Sequence, residues 1–301
     1  MRAYVANTDW NWFNFLRNQQ GIQEVNFWQP GGKVLFKALQ PGELFLFKLK
    51  SPYNCIVGGG IFAHSSLIPI SLAWESFGRS NGARTLPEMR ALIEKLKKID
   101  DTAVRDYTIG CILLEQPFFL SEESWIPVPN WNSNIVQGKI YDLAVEPGLS
   151  ILHRLNNPAS LFTGVKEERP QYGEPVIVKP RLGQGSFRIM VTDVYERRCA
   201  VTGEKTLPAL DAAHIKPFAE SGEHSTPNGI LLRRDIHALF DQGYVTINPS
   251  MIFEVSRRIK EEFENGREYY KLHGAKIHLP ANPLDQPDKS YLEWHNSIYK
   301  G

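Results

Sequence analysis

The chain has 301 residues, 42% of them apolar and 22% charged, which is enough to bury a proper core and excludes a disordered or fibrous protein. Its net charge is +1, from 34 Lys and Arg against 33 Asp and Glu, so the surface as a whole carries no label for a polyanion and any such contact must be local. Three scattered cysteines, Cys55, Cys111 and Cys199, make neither a disulfide scaffold nor a four-cysteine zinc site, and no stretch of about eighteen apolar residues occurs, so a cytoplasmic protein that neither spans a membrane nor is secreted is expected.

The length favours two domains. In chain order, residues 1–145 are rich in aromatics and short β-like runs: VNFWQ, KVLFKAL, ELFLFKL and NCIVGGGIFAH, whose glycines Gly58, Gly59 and Gly60 imply a bulge or a close backbone approach. One helix is expected from Leu86 to Ile99, where Met89, Leu92, Ile93 and Leu96 recur at helical spacing behind Thr85 as N-cap. The strand-like TIGCILLEQPFFL follows, then a loop containing Trp and Pro. Residues 146–178, with scattered Pro, Gly and Asn and little periodicity, read as a linker.

From residue 179 to 301 the pattern mixes helix and strand. A helix is expected through FRIMVTDVYERR, with Gly183-Gln184-Gly185 as the turn before it, and a hairpin over Thr202 to Pro208. The stretch that carries chemistry comes next. A strand, ALDAAHI, leads to His214; a polar loop with Gly222 follows; Asn228 opens the apolar NGILL; and a helix, RRDIHALFDQG, carries His237 and Asp241. A neutral imidazole can take a proton from water, and a histidine and a carboxylate four residues apart share one helix face and could hold one cation. The amide of Asn228 is suited to holding its loop by backbone hydrogen bonds.

His214, Asn228 and His237 match, in order and spacing, the signature positions of HNH endonucleases, and residues 180–290 resemble the branch of that family found in modification-dependent restriction endonucleases. RCAVTG, DAAHI, NG and IHALFDQGY carry the resemblance, with RLGQGSFR and FENGREYYKLHG beside them. It implies a ββα-metal fold, His214 as general base, Asn228 as a mainly structural residue and His237 as a ligand of a divalent ion: Mg2+ or Mn2+, with Ni2+, Co2+ or Zn2+ as alternatives. Many relatives have an acidic or histidine ligand just before the base, where this chain has Ala213. Asp241 is the first candidate to supply the remaining ligand and Asp211 the second. The paired CxxC knuckles of other branches are absent, so no structural zinc is expected.

The expected architecture is therefore α+β: a β-rich first domain with few helices, a linker, and a nuclease domain. The first domain is similar to PUA-like barrels of the EVE and SRA kind, which implies a pocket for a modified base such as a modified cytosine, with Trp28, Asn26, Trp74 and Trp131 as suppliers. Phosphate contacts are expected from Arg233, Arg234, Arg257 and Arg258. The partner implied is modified double-stranded DNA, with a homodimer to cut both strands. His224, in ESGEHSTP, reads as solvent-exposed, and His273, His278 and His295 have no chemical pattern around them. Competing readings are a DNA-binding protein with a degenerate site, and a nuclease gated by a ligand other than DNA.

Overall fold

Strands form where the sequence is largely apolar on both faces, as in Leu44–Leu49, whose six residues, Lys48 included, are all buried. The computed structural model describes residues 1–97, 106–156 and 183–301. The chain divides into two compact units, Met1–Pro180 and Arg181–Gly301. No helix among the described residues is long and apolar enough to cross a membrane.

The first unit runs β1 (Arg2–Thr8), α1 (Trp10–Arg17), β2 (Glu24–Gln29), β3 (Leu44–Leu49), β4 (Cys55–Pro69), α2 (Ile70–Phe77), α3 (Leu86–Lys97), β5 (Thr108–Phe119), β6 (Ile126–Pro127), β7 (Gly138–Asp142) and α4 (Gly148–Leu155). Its mixed sheet has the order β2-β5-β4-β3-β1-β7, with β6 paired to β4 and β1 parallel to β3. Side-chain alternation splits β3 between two cores. Phe45 and Phe47 face Trp12, Phe13 and Leu16 of α1, whereas Leu44 and Leu46 face Ile151 and Leu155 of α4. The glycine run does bring backbones together: a Cβ at Gly58 would lie 2.3 Å from the Phe118 carbonyl oxygen, and one at Gly59 would lie 2.6 Å from that of Phe45.

Several elements differ from expectation. KVLFKAL is not a strand: Val34 and Leu35 are exposed, while Phe36 folds inward against Tyr4, Phe45 and Phe62 and its carbonyl accepts a 2.7 Å bond from Ser65 Oγ. β1, α1, α2 and α4 are not among the expected elements, and the stretch expected as a loop holds the short strands β6 and β7; α4 lies in the segment read as linker, of which residues 157–178 are outside the described residues. The expected end of α3 at Ile99 is likewise outside them.

Asn81 ties this unit together. It is fully buried; its Oδ1 accepts from Asn26 Nδ2 at 2.9 Å and its Nδ2 donates to the carbonyls of Ala73 and Gly78. Its own carbonyl accepts from the indoles of both Trp12 and Trp28. Asn81→Ala strips a partner from the Asn26 amide and from the carbonyls of Ala73 and Gly78, and should cost on the order of 1–3 kcal/mol. A urea unfolding curve with an unchanged midpoint would contradict this role.

The second unit runs α5 (Gln184–Val194), β8 (Leu210–His214), β9 (Gly229–Arg233), α6 (Arg234–Asp241), β10 (Val245–Ile247), β11 (Phe253–Val255), α7 (Arg258–Phe263), α8 (Arg267–Tyr270) and α9 (Lys289–Ile298). β8 and β9 pair antiparallel and α6 follows directly, giving the strand–strand–helix order. The hairpin expected over Thr202 to Pro208 is instead a closed turn. Gly203 sits at φ +72° and Cys199 N donates to Glu204 O at 2.8 Å, after which Leu207–Ala209 forms a 3-10 turn, since Pro208 has no N–H for a ladder.

Candidate active site

The register of β8 on β9 sets His214 opposite Gly229. Gly229 lets α5 come close: a Cβ there would meet Val191 Cγ2 at 2.3 Å and the Phe187 ring at 3.0 Å. Phe187 lies flat on the His214 imidazole, with ring centroids 3.8 Å apart and an interplanar angle of 11°. The apolar ring and the surrounding protein strip water from the imidazole. Burial, then the charges of His224 and His237, depress the His214 pKa to about 4, with Asp241 pulling the other way. His214 is thus neutral at pH 7.

Asn228 is fully buried behind it. Its Oδ1 accepts from Lys216 N at 2.9 Å; its Nδ2 donates to Lys216 O at 2.9 Å and to Glu223 O at 2.8 Å. One amide therefore clamps the chain just after His214 to the chain just before His224. Gly222 is required in this loop, because a Cβ there would lie 1.9 Å from Lys216 O.

On α6, Ile236 and Phe240 enter the core, and His237 and Asp241, each one residue later, share the neighbouring face. His237 Nδ1 lies 3.3 Å from Asp211 Oδ2 on β8, and its Nε2 lies 3.3 Å from Asp241 Oδ2. Arg188 Nε stands 3.5 Å from the other Asp211 oxygen. Burial works to lower the His237 pKa, but hydrogen bonding to Asp211 and Asp241 overcomes it and lifts the value to about 9. Burial likewise opposes ionisation of Asp211, and His237 with Arg188 still holds its carboxyl below the usual range. Among the described residues no three His, Cys, Asp or Glu side chains converge as a ready metal cluster, because the two carboxylates sit on opposite nitrogens of one ring.

Ala213 is fully buried in the apolar core of this unit. A ligand at that position would point inward, so the acidic groups come from Asp211 and Asp241 instead. His224 was expected to be exposed, and this is corrected: it is half-buried, its Nδ1 lies 2.9 Å from His214 Nε2, and Phe218 stacks on its ring. His295, set aside on sequence, is buried against Phe240, with Nε2 3.0 Å from the Phe240 carbonyl oxygen and Nδ1 2.8 Å from Thr246 Oγ1, so it braces the end of α6. The clue for His224 lay in Asn228: a loop closed on Lys216 must return its far end beside His214.

The other candidates are dispersed. Arg233 is engaged bidentately by Asp235 and Arg258 pairs with Glu262 at 2.8 Å, while Arg257 is exposed at the start of α7 and Arg234 at the start of α6. In the first unit, Asn26 and Trp28 bond to Asn81, Trp74 is half-buried on α2, and Trp131 receives the Lys48 ammonium 4.5 Å from its ring centroid. These four do not share one set of contacts.

His237 binds its proton more tightly folded than unfolded, so its contribution to stability is full below about pH 6.5 and is lost as pH rises through about 9. His214 and His295 are depressed to about 4, so theirs is full above about pH 6.5 and is lost as pH falls through about 4. Melting temperatures measured with a chelator should therefore fall on both sides of neutrality, with His237→Asn flattening the alkaline side. An alkaline side unchanged in that variant would refute the assignment. Ala213→Asp should destabilise the unit by about 3–5 kcal/mol through an unpaired buried charge, without raising cleavage; a gain in cleavage would show that the side chain reaches the site.

Residues 199–248 match the family model of an HNH endonuclease. No curated protein matches the chain. Two solved structures are similar at low TM-score. One is an ASCH structure from Zymomonas mobilis, with 10% identity and TM-score 0.34, covering 51% of this chain and 94% of that one. The other is the modification-dependent TagI restriction endonuclease, with 12% identity and TM-score 0.28, covering 98% of this chain and 81% of that one. With His214, Asn228 and His237 all inside the matched stretch, the second unit carries an HNH endonuclease domain, and the chain is a nuclease.

Proposed function

We propose that the chain is a metal-dependent DNA endonuclease of restriction type, hydrolysing phosphodiester bonds with His214 as the general base. The observation that carries this is an imidazole held neutral at pH 7, with a pKa of about 4, beside a second imidazole flanked by two carboxylates. A neutral ring has a lone pair for the proton of an attacking water. Loss of the His237 proton removes one of the charges that depress His214, so His214 becomes the stronger base when His237 is neutral. Asn228 holds the loop, and Arg188 with Ala212 N orients Asp211.

His237, through Nε2, and Asp241 would hold a divalent ion, with Asp211 on the opposite nitrogen orienting the ring. Carboxylate oxygens suit Mg2+ or Mn2+, and the imidazole also admits Ni2+, Co2+ or Zn2+. When bound, such an ion supplies positive charge beside the scissile phosphate and the departing oxygen. Ala213, facing the core, gives no reason to regard the site as degenerate.

In the same reading, residues 1–145 form a PUA-like sensor of a modified base, a modified cytosine first among them, and residues 146–178 connect it to the nuclease. The support is the aromatic-rich sheet and the resemblance of RCAVTG and DAAHI to modification-dependent enzymes. Of the four pocket candidates, half-buried Trp74 is the one this reading keeps foremost, since Asn26 and Trp28 are bonded to Asn81. The substrate is double-stranded DNA in the cytoplasm. One site per chain cuts one strand at a time, which favours a homodimer.

Digestion of duplexes differing only in cytosine modification, with Mg2+ or Mn2+, tests both halves. Modified duplexes should be cut, and His214→Ala should lower the rate by about 10²- to 10⁴-fold. Equal cutting of unmodified DNA would remove the sensor reading, and an undiminished His214→Ala would remove the base.

A further inference from the structure

The two histidines of the loop and strand form a unit. His214 Nε2 and His224 Nδ1 are 2.9 Å apart, and the rings meet edge to face at 67° with centroids 4.9 Å apart. Both rings are held from outside the pair: Phe187 stacks on His214 at 3.8 Å, and Phe218 stacks on His224 at 4.9 Å, each at 11°. The backbone between them is fixed by the Asn228 amide, by Gly222 against Lys216 O, and by Ser221 in the left-handed region at φ +64°. Four rings in series, pinned by a buried amide, make this contact a built feature.

With His224 neutral like His214, one nitrogen of the close pair carries the hydrogen and the other accepts it. If His224 donated, the Nε2 lone pair of His214 would be occupied and its hydrogen would sit on Nδ1, leaving no nitrogen to take a proton. The opposite arrangement leaves a basic nitrogen. We propose that His224 is a positioning residue that fixes the tautomer of His214: His224 Nδ1 accepts the Nε2–H of His214, and the Nδ1 lone pair of His214 is left to take the proton of water. This rests on the reading of His214 as the base. In the step, the water O–H bond breaks and its proton moves to His214 Nδ1, while the water oxygen bonds to phosphorus as the bond from phosphorus to the departing sugar oxygen breaks, that oxygen taking a proton from solvent water; the imidazolium formed keeps its Nε2–H bond to His224, which shares the charge.

The full chain with 15N-labelled histidine, studied by long-range proton–nitrogen spectra, reports which His214 nitrogen is protonated. The expected result is the Nε2–H tautomer in the native protein, a mixture in His224→Ala, and recovery in His224→Asn, whose side-chain oxygen stands near the place of Nδ1. On modified duplex with Mg2+ or Mn2+, His224→Ala should lower kcat by about 10- to 100-fold with KM unchanged, and His224→Asn should restore most of it. An Nδ1–H tautomer in the native protein, or a native kcat in a folded His224→Ala, overturns the proposal. If His224→Ala does not fold, the native tautomer and the Asn variant decide. The parent reading fails separately: His214→Ala cutting like the native protein removes the base, whereas a dead His214→Ala with a fully active His224→Ala removes only His224.

Discussion

Three hydrogen bonds from one buried amide govern the nuclease site. Asn228 closes the chain at Lys216 onto the chain at Glu223, and each tie lies within two residues of a histidine. Because Asn228 is fully buried, every one of its bonds exchanges water for protein in a low-dielectric setting, where an unmade bond is expensive. The loop of residues 215–227 is thereby set in one conformation, and His214 meets His224 at hydrogen-bond distance without regular structure on the His224 side. Gly222 and Gly229 serve the same end by letting backbone and α5 come closer than any Cβ would permit.

The electrostatics of the site follow from that packing. His214 and His237 belong to one small site yet are driven in opposite directions, to about 4 and about 9. Both are partly buried, and burial alone lowers a histidine pKa; the difference is that His237 has a carboxylate on each nitrogen, whereas His214 has a phenyl face and another histidine. Two imidazoles with separated proton affinities are suited to different tasks, one to accept a proton and the other to hold charge. Asp211 reaches His237 from β8 and Asp241 from the same helix, so strand and helix must dock correctly before the pair exists.

The first unit is built on a comparable device. Asn81 receives two indole N–H groups and the Asn26 amide, so residues far apart in sequence converge on one buried residue. That convergence explains why Asn26 and Trp28, which look like binding groups in a list of residues, act as internal ties. An aromatic or amide at a strand end carries no mark of which side it faces until the helix and 3-10 turn above it are placed.

Much of the nuclease unit was legible in the sequence because its signals are local. The apolar runs around DAAHI and NGILL define two strands, the spacing of Ile236 and Phe240 defines the helix that follows, and i, i+4 geometry sets His237 beside Asp241. The glycine run at Gly58 also announced a close approach that the sheet contains. What the sequence left open depends on contacts across long separations or on short elements with weak periodicity. α1 and α2 have only eight residues each, and KVLFKAL reads as a short β-like run but forms no strand, with Phe36 turned in against Tyr4, Phe45 and Phe62. The inward aim of Ala213 and the pairing of His224 with His214 depend on how β8, α5 and the loop pack, and packing is a property of all three at once. The sequence by itself determined His214, Asn228, His237 and Asp241 and the order in which they arrive; only the tertiary structure brought His224 to them and decided which nitrogen faces which neighbour, because that is fixed by burial and by the closing of one loop on a single buried amide.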